Sequence, residues 1–418
     1  MKKILWVCVL ILPLIFSCPS NSDNNNHNNQ QVTINPALAF FRDNNIRAGW
    51  NLGNSFDAGD ETAWGNPAVN QELMNGVKAA GFGIIRIPVT WTRYIGPAPD
   101  YVIQPARLAR VAEAANMANK AGLKAIINVH HDGSSRINNS TGVLSDGGWI
   151  SIRRASESET DRTAITDQIE HVWGQIAEYF KDLDDWLIFE SFNEIHDGGW
   201  GWSDAFKIEA AAKAQFNVLN GWNQRFVDLV RESGGKNANR FLVIPSYVTN
   251  PECTYPGGRI PDHPVQNIGD NFKLPTDSVS DRLIVTFHYY RPESVGINGT
   301  KQNWGTEVDR KIIDRDFSPF KPHYIDKGIP VIIGECGAVR QLYPDNPAKQ
   351  GQANDSRIQY MYEVFATAKK YGLIPIYWDN GSFTGSGEKF GLFNRTTGEP
   401  YNAELGIIIQ TMIGAVND

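Results

Sequence analysis

Two glutamates in this chain stand where a carboxylate is costly. Glu194 ends the run Asp184-Asp-Trp-Leu-Ile-Phe-Glu-Ser-Phe-Asn193-Glu194, and Glu335 ends Ile329-Pro-Val-Ile-Ile-Gly334-Glu335; both runs are apolar and rich in β-forming residues. A carboxylate at the exit of a buried strand loses hydration, which is unfavourable unless the charge is paired or used. Two such exits about 140 residues apart suit facing acids at one end of a parallel barrel, where active sites sit. Paired carboxylates on either side of a glycosidic bond are the machinery of glycoside hydrolysis. Either glutamate alone also fits a buried ion pair; the two together point to chemistry.

Positioning them requires a scaffold, and the chain from residue 36 onward supplies a regular alternation. Eight short Ile- and Val-rich segments read as strands: Ile46–Leu52, Ile84–Val89, Leu123–Val129, Trp186–Ser191, Phe241–Pro245, Leu283–His288, Val331–Gly334 and Leu373–Trp378. They are apolar on both faces, as parallel strands covered by helices should be. Amphipathic stretches such as Arg107–Ala121, Asp167–Lys181, Lys207–Arg231, Ser356–Tyr371 and Ala403–Met412 lie between or after them. Gly81, Gly122, Gly328 and Gly372 each precede a strand, at the position where helices stop. The pattern predicts an α/β fold: a single TIM (β/α)8 barrel with enlarged βα loops, spanning residues 36–418.

In a barrel the strand exits share one cavity. Read in order they carry Asn51/Asn54, Arg86, His130/His131, Asn193-Glu194, His288/Tyr290, Glu335 and Trp378. Adjacent His130 and His131 do not suit one metal ion, because neighbours on a strand point to opposite faces. No metal and no cofactor are expected; a sugar-binding histidine with its neighbour packed behind accounts better for the pair.

The segments Gly49-Trp-Asn-Leu-Gly-Asn54, Arg86-Ile-Pro-Val-Thr-Trp91, Asn193-Glu194, His288-Tyr-Tyr290, Gly334-Glu335 and Trp378 together resemble glycoside hydrolase family 5. Arg47-Ala-Gly-Trp-Asn-Leu-Gly-Asn54 with Glu61-Thr-Ala-Trp-Gly-Asn-Pro67 resembles its subfamily of endo-β-1,4-glucanases and xyloglucanases. The resemblance covers residues 40–412 and keeps the family's motif order; Ile195 departs from the proline usual after the acid. It implies Glu194 as general acid/base and Glu335 as nucleophile of a retaining mechanism. Arg86 would keep Glu335 ionised, Tyr290 would hydrogen-bond it, His288 would orient Glu194, and Asn193 would touch the sugar 2-hydroxyl. Asn54, Asp57, His130, His131, Trp304 and Trp378 would bind substrate, Trp378 as the floor under the sugar at the cleavage point. Among the other loop tryptophans, Trp91, Trp149, Trp200 and Trp202 fit cleft or packing roles equally; Trp304 is singled out because Asn303-Trp-Gly305 echoes the family.

The N-terminus reads as an export signal. Lys2-Lys3 precede an apolar run from Ile4 to Phe16 that is too short to span a bilayer, and Leu14-Ile-Phe-Ser17-Cys18 resembles a lipobox with Cys18 acylated. Residues 1–18 are expected to be a lipoprotein signal, and 19–35 a polar, low-complexity linker. This places the protein at the bacterial cell surface or outside the cell. The formal charge of −7 becomes −9 once Lys2 and Lys3 are removed, and without basic runs this excludes nucleic acid as a natural partner. The 12 tryptophans suit flat, uncharged ligands instead. The leading expectation is a monomeric endo-β-1,4-glucanase acting on polysaccharide. Xyloglucanase, mixed-linkage glucanase and mannanase are alternatives within the same chemistry, and a glycan-binding lipoprotein on an inert barrel is the alternative without it. Cys253 and Cys336 are expected to be free buried thiols.

Overall fold

A computed structural model describes residues 35–133, 148–301, 303–385 and 387–417; the expected export signal, with Cys18, and the expected linker up to residue 34 lie outside the described residues. Eight parallel strands close in sequence order: β1 (Gly49–Leu52), β2 (Ile84–Ile87), β3 (Lys124–Asn128), β4 (Leu187–Glu190), β5 (Leu242–Pro245), β6 (Leu283–Tyr289), β7 (Val331–Cys336) and β8 (Ile374–Asp379), with β8 pairing back to β1. Helices Pro105–Lys120, Glu159–Phe180, Glu209–Glu232, Pro347–Tyr371 and Ala403–Asn417 occupy the expected amphipathic stretches. Gly81, Gly122, Gly328 and Gly372 all have positive φ, as a helix-ending residue without Cβ allows.

The barrel interior is stacked in layers. Ile84, Ile126, Ile188, Val243, Ile284, Ile332, Ile374 and Ile376 form an apolar plug. Helix Pro36–Asp43 adds Ala37, Phe40 and Phe41 to the same cluster. Asn35, assigned above to the linker, belongs to the fold: its side chain accepts from the amides of Ala37 and Leu38 and caps that helix. One turn further along the strands, the inward positions become polar, with Asn51, Arg86, Asn128, Glu190 and Thr286 all buried. Period-two alternation therefore carries the apolar plug below and the charged layer above on the same strands.

Two features depart from the regular pattern. Between β5 and β6, residues 246–282 hold only short 3-10 turns, such as Tyr247–Thr249 and Ile268–Asn271, among the described residues. Pro251, Pro256, Pro261, Pro264 and Pro275 divide the stretch into short pieces, and Gly269 weakens the longest of them, 265–274, as a helix. The second departure is a bulge in β7. Phe287 pairs Ile333 but His288 pairs Glu335, so Gly334 has no partner on β6; on the other side Ile333 pairs Pro375 and Cys336 pairs Tyr377. Strict alternation from inward Ile332 would turn Glu335 outward into the helix layer. The extra residue turns it into the barrel mouth instead.

Glycine is required at the bulge. A Cβ on Gly334 would stand 2.5 Å from Thr286 Oγ1 and 3.1 Å from His288 Nε2. Gly334→Ala is expected to lower stability by about 1–3 kcal/mol in urea unfolding, the usual cost of overpacking. Adding Thr286→Ala should restore most of the loss, since it removes the struck atom. Equal stability of Gly334→Ala and wild type would refute this account of the bulge.

Candidate active site

Arg86 sits at the centre of the polar layer, fully buried. Its Nε donates to Glu190 Oε2 (2.6 Å), Nη1 to Glu335 Oε1 (2.8 Å) and to Asn51 Oδ1 (3.1 Å), and Nη2 to Asn193 Oδ1 (2.8 Å). Burial alone would lower its pKa, but the charges of Glu190 and Glu335 outweigh that and leave it raised. Asn51 is fixed in turn by donating to Gly334 O (2.9 Å), which ties the arginine's support to the bulge. Glu190, from the Phe-Glu-Ser step of β4, was missed in the sequence. It also accepts from Asn128 Nδ2 (3.0 Å). Its signal was an acid on the inward face of a strand, four residues before Glu194.

Glu194 and Glu335 meet above this layer. One oxygen of each, together with a His288 ring nitrogen, lies within 4.8 Å of the other two atoms. His288 Nδ1 is 2.6 Å from Glu194 Oε1 and 3.5 Å from Glu335 Oε2. The two carboxyls differ in their partners. Glu335 accepts from Arg86 on Oε1 and from the Tyr290 hydroxyl on Oε2 (3.0 Å). Glu194 accepts from Thr249 Oγ1 at 3.4 Å and contacts His288, both on Oε1, which leaves Oε2 without a partner among the described residues. Thr249 and its neighbour Val248 both hold positive φ, near 50°, a strained state for β-branched residues.

These surroundings sort the protons. Burial pushes the Glu194 carboxyl up to about 7, against the pull of His131 and Arg86. Arg86 donates to Glu335 as expected and pulls its pKa down, as does His288, but burial outweighs both and leaves it raised. When the pair holds one proton, Glu194 carries it, because Glu335 has the guanidinium and the phenol as donors. Burial lowers His288 to about 4, so its ring is neutral, and the same effect keeps the Tyr290 phenol protonated as a donor.

A cleft of about 590 Å³ opens over the two acids, lined among others by Asn54, His130, His131, Asn193, Tyr290 and Trp378. The Trp378 indole lies parallel to the His130 ring (interplanar angle 4°, centroids 6.0 Å apart). Three expectations need correction. Trp304 is buried, packed edge-on against Tyr360 beside helix Pro347–Tyr371, and faces no cleft. Asp57 is buried too; its carboxylate accepts from the amides of Ser55 (2.7 Å) and Asn54 (3.0 Å) and holds Asn54 in a left-handed conformation. It therefore shapes the turn that presents Asn54. His131 is not packed behind His130, since β3 ends at Asn128 and strand alternation no longer applies; both rings line the cleft, 4.4 Å apart.

The exposed tryptophans of the cleft are Trp64 and Trp200, 51% and 58% accessible. Trp64 lies against His131, and Trp200 packs on His196 (centroids 4.3 Å) from the loop after β4. Of the remaining candidates, Trp91 is fully buried, Trp149 donates to Asp132, and Trp202 packs on His263. Among the described residues, two groups of side chains bring ligand-type atoms together, Asp57/His130/His131 and Glu194/His288/Glu335. In the second, Arg86 and Tyr290 already occupy the Glu335 oxygens, an arrangement for an anion's own donors rather than for a cation. Cys253 and Cys336 are both buried and unpaired.

Comparison with known proteins places this arrangement in context. The family model described as cellulase (glycosyl hydrolase family 5) matches residues 44–384. The chain is similar to endoglucanase A of Paenibacillus barcinonensis (35% identity, covering 83% of each chain). It is also similar to a xyloglucan-specific endo-beta-1,4-glucanase of Bacteroides ovatus (32% identity over 86% of this chain and 67% of that one). A solved broad-specificity endoglucanase from Bacteroides salanitronis superposes with a TM-score of 0.76 at 38% identity, over 90% of this chain and 94% of that one.

The buried arginine can be tested without any substrate. Arg86→Met leaves Glu190 and Glu335 buried without their cation and should cost roughly 3–5 kcal/mol at pH 7. Without the guanidinium the folded-state pKa of Glu335, already raised by burial, rises further above the unfolded value, so the penalty is present at neutral pH and shrinks as falling pH protonates it. Urea midpoints should therefore differ from wild type more at pH 7 than at pH 5. A deficit independent of pH would refute the ion-pair role.

Proposed function

The chain belongs to glycosyl hydrolase family 5 and is an endo-acting hydrolase of β-1,4-glucans; from that premise we propose that it works by double displacement, with Glu194 as acid/base and Glu335 as nucleophile. The observation that carries this reading is the close approach of the two carboxyls, with oxygens within 4.8 Å. Retaining hydrolases hold their carboxyls roughly 5–5.5 Å apart, whereas inverting enzymes need about 6.5–9.5 Å to admit a water between acid and sugar.

In the first step a Glu335 oxygen attacks the anomeric carbon while the glycosidic C–O bond breaks and the Glu194 proton passes to the leaving oxygen. Glu194 lines the cleft, and its Oε2, without a partner among the described residues, is suited to hold that proton, while His288 Nδ1–H steadies Oε1. Glu194, now ionised, takes a proton from water, whose oxygen attacks the anomeric carbon and releases Glu335. Two inversions leave the configuration retained. Arg86 and Tyr290 hold the nucleophile's oxygens, and Asn193, whose Oδ1 is taken by Arg86, turns its amide toward the sugar 2-hydroxyl. Trp378 supplies the stacking floor. Exposed indoles of Trp64 and Trp200 in the same open cleft support binding within a long chain rather than at its end.

We further propose export with acylation at Cys18, supported by Lys2-Lys3, the apolar run and Leu14-Ile-Phe-Ser17-Cys18, and a monomeric enzyme, since one chain supplies every site residue. Labelled palmitate should enter the wild type and not Cys18→Ala; equal labelling would refute the lipobox.

The catalytic roles have separate readouts. With Glu194 at about 7, the alkaline limb of kcat/KM on soluble glucan should centre near that pH, because the proton must be present for the first step. Glu194→Ala should lose about 10²–10⁴-fold on polysaccharide. It should lose far less on an aryl cellobioside whose leaving group needs no proton. Added azide should yield the β-glycosyl azide from Glu194→Ala and the α-glycosyl azide from Glu335→Gly. The opposite anomers would reverse the assignment, and an unchanged alkaline limb in Glu194→Gln would reject it.

A further inference from the structure

The supports of the two carboxyls lie beyond the strand ends, on separate stretches of chain. Backbone pairing between β5 and β6 stops at Pro245 and Thr286. Past that point the turn Tyr247–Thr249 backs the acid. The Val248 amide donates to Ile195 O (3.0 Å), the Asp197 amide donates to the Tyr247 hydroxyl (3.1 Å), and Thr249 Oγ1 donates to Glu194 Oε1 (3.4 Å). On the other side Tyr290, just past β6, donates to Glu335 Oε2.

An ion pair bridges the two stretches. Glu252, on the turn Pro251–Cys253 that follows Thr249, accepts from both terminal nitrogens of Arg291, the residue after Tyr290. Nη1 bonds Oε1 and Nη2 bonds Oε2 (2.7 Å), a two-point fork that resists rotation as well as separation. Glu252 is buried; burial alone would lower the Arg291 pKa, but this carboxylate outweighs it and leaves it raised. Each end of the bridge is tied to its own stretch. The Glu252 amide donates to Asn250 Oδ1 (2.9 Å), and Thr254 Oγ1 donates to Asn250 O (2.8 Å). Arg291 O accepts from the Tyr360 hydroxyl (3.0 Å), and the Tyr289 hydroxyl donates to Asp316 Oδ2 (3.2 Å) on helix Glu307–Phe317, so both neighbours of Tyr290 are anchored.

Neither Glu252 nor Arg291 lines the cleft. Yet the strained backbone of Val248 and Thr249 persists only where surrounding contacts fix it, and this pair is one of them. We infer that Glu252 and Arg291 are positioning residues for catalysis: their pair fixes the support of the acid/base relative to the support of the nucleophile, so bond cleavage depends on it and glucan binding does not. The inference rests on the preceding assignment of Glu194 and Glu335.

The test compares Glu252→Gln, Arg291→Met and the double variant with wild type on barley β-glucan and on a dinitrophenyl cellobioside, whose leaving group needs no proton. Active sites are counted with the 2-fluoro analogue of that cellobioside, which leaves a stable glycosyl ester on the nucleophile. Per labelled site, each single variant should lose about 10–100-fold in kcat on β-glucan with KM unchanged, the cost of misplacing reacting groups by up to about 1 Å. The loss in kcat/KM on the aryl glycoside should be smaller, because a misplaced acid is not felt there. The double variant should be no slower than the worse single, since both remove one interaction. Arg291→Lys, which keeps the charge and disturbs folding least, should show the same pattern at smaller size. An equal loss on both substrates per labelled site is what a merely structural pair gives, and it would overturn the inference. A rise in KM alone, multiplied losses in the double variant, or no loss in any variant would do the same. A wild type that the fluoro analogue does not label at Glu335 would instead sink the preceding reading, and the inference with it.

Discussion

Everything at the mouth of this barrel depends on one buried guanidinium. Arg86 reaches from β2 to Glu190 on β4, Glu335 on β7, Asn51 on β1 and Asn193 just beyond β4. Its planar fork suits this task, because several directional donors leave one rigid group. Lysine would supply the charge without the geometry. The arginine is outnumbered by the two carboxylates it contacts, so the layer retains excess negative charge. That excess is useful beneath a sugar ring that becomes positive as its bond to the leaving oxygen stretches.

The two acids above it are made different by their partners rather than by their type. Both are glutamates deprived of water, and burial raises both. Glu335 has donors from β2 and from Tyr290 just beyond β6, while Glu194 lines the cleft with one oxygen unpartnered among the described residues. The neutral His288 touches both and keeps them at a fixed separation without adding a charge of its own. The bulge at Gly334 belongs to the same design: without the extra residue, the side chain after it would turn toward the helices.

Much of this was legible in the sequence, and the reasons are specific. Strands that are apolar on both faces, and glycines placed before them, announced a parallel barrel, and the strand exits announced which side chains would meet. What stayed hidden depended on neighbours distant in the chain. A bulge is a property of pairing between β7 and its two partners, and Val331–Gly334 alone gives no sign of it. Trp304 and Trp200 look alike in sequence, yet one is covered by Tyr360 and the other stands free on a loop. Asp57 looked like a ligand group because it follows Asn54, but its carboxylate is used up by the turn it belongs to. The helix-free stretch after β5 was readable in its prolines, which outrank the expectation of eight equal units.

The isoleucine plug has a consequence for proton traffic. Ile84, Ile126, Ile188 and Ile332, backed by Phe40 and Phe41, seal the strand starts with hydrocarbon. The acids at the other end can exchange hydrogen ions with bulk water through the cleft alone. Polysaccharide lying across that opening narrows the one route until the leaving portion departs. Each catalytic round then begins with whatever charge state the empty enzyme last settled into, which ties turnover to the acidity of the medium at the instant of capture.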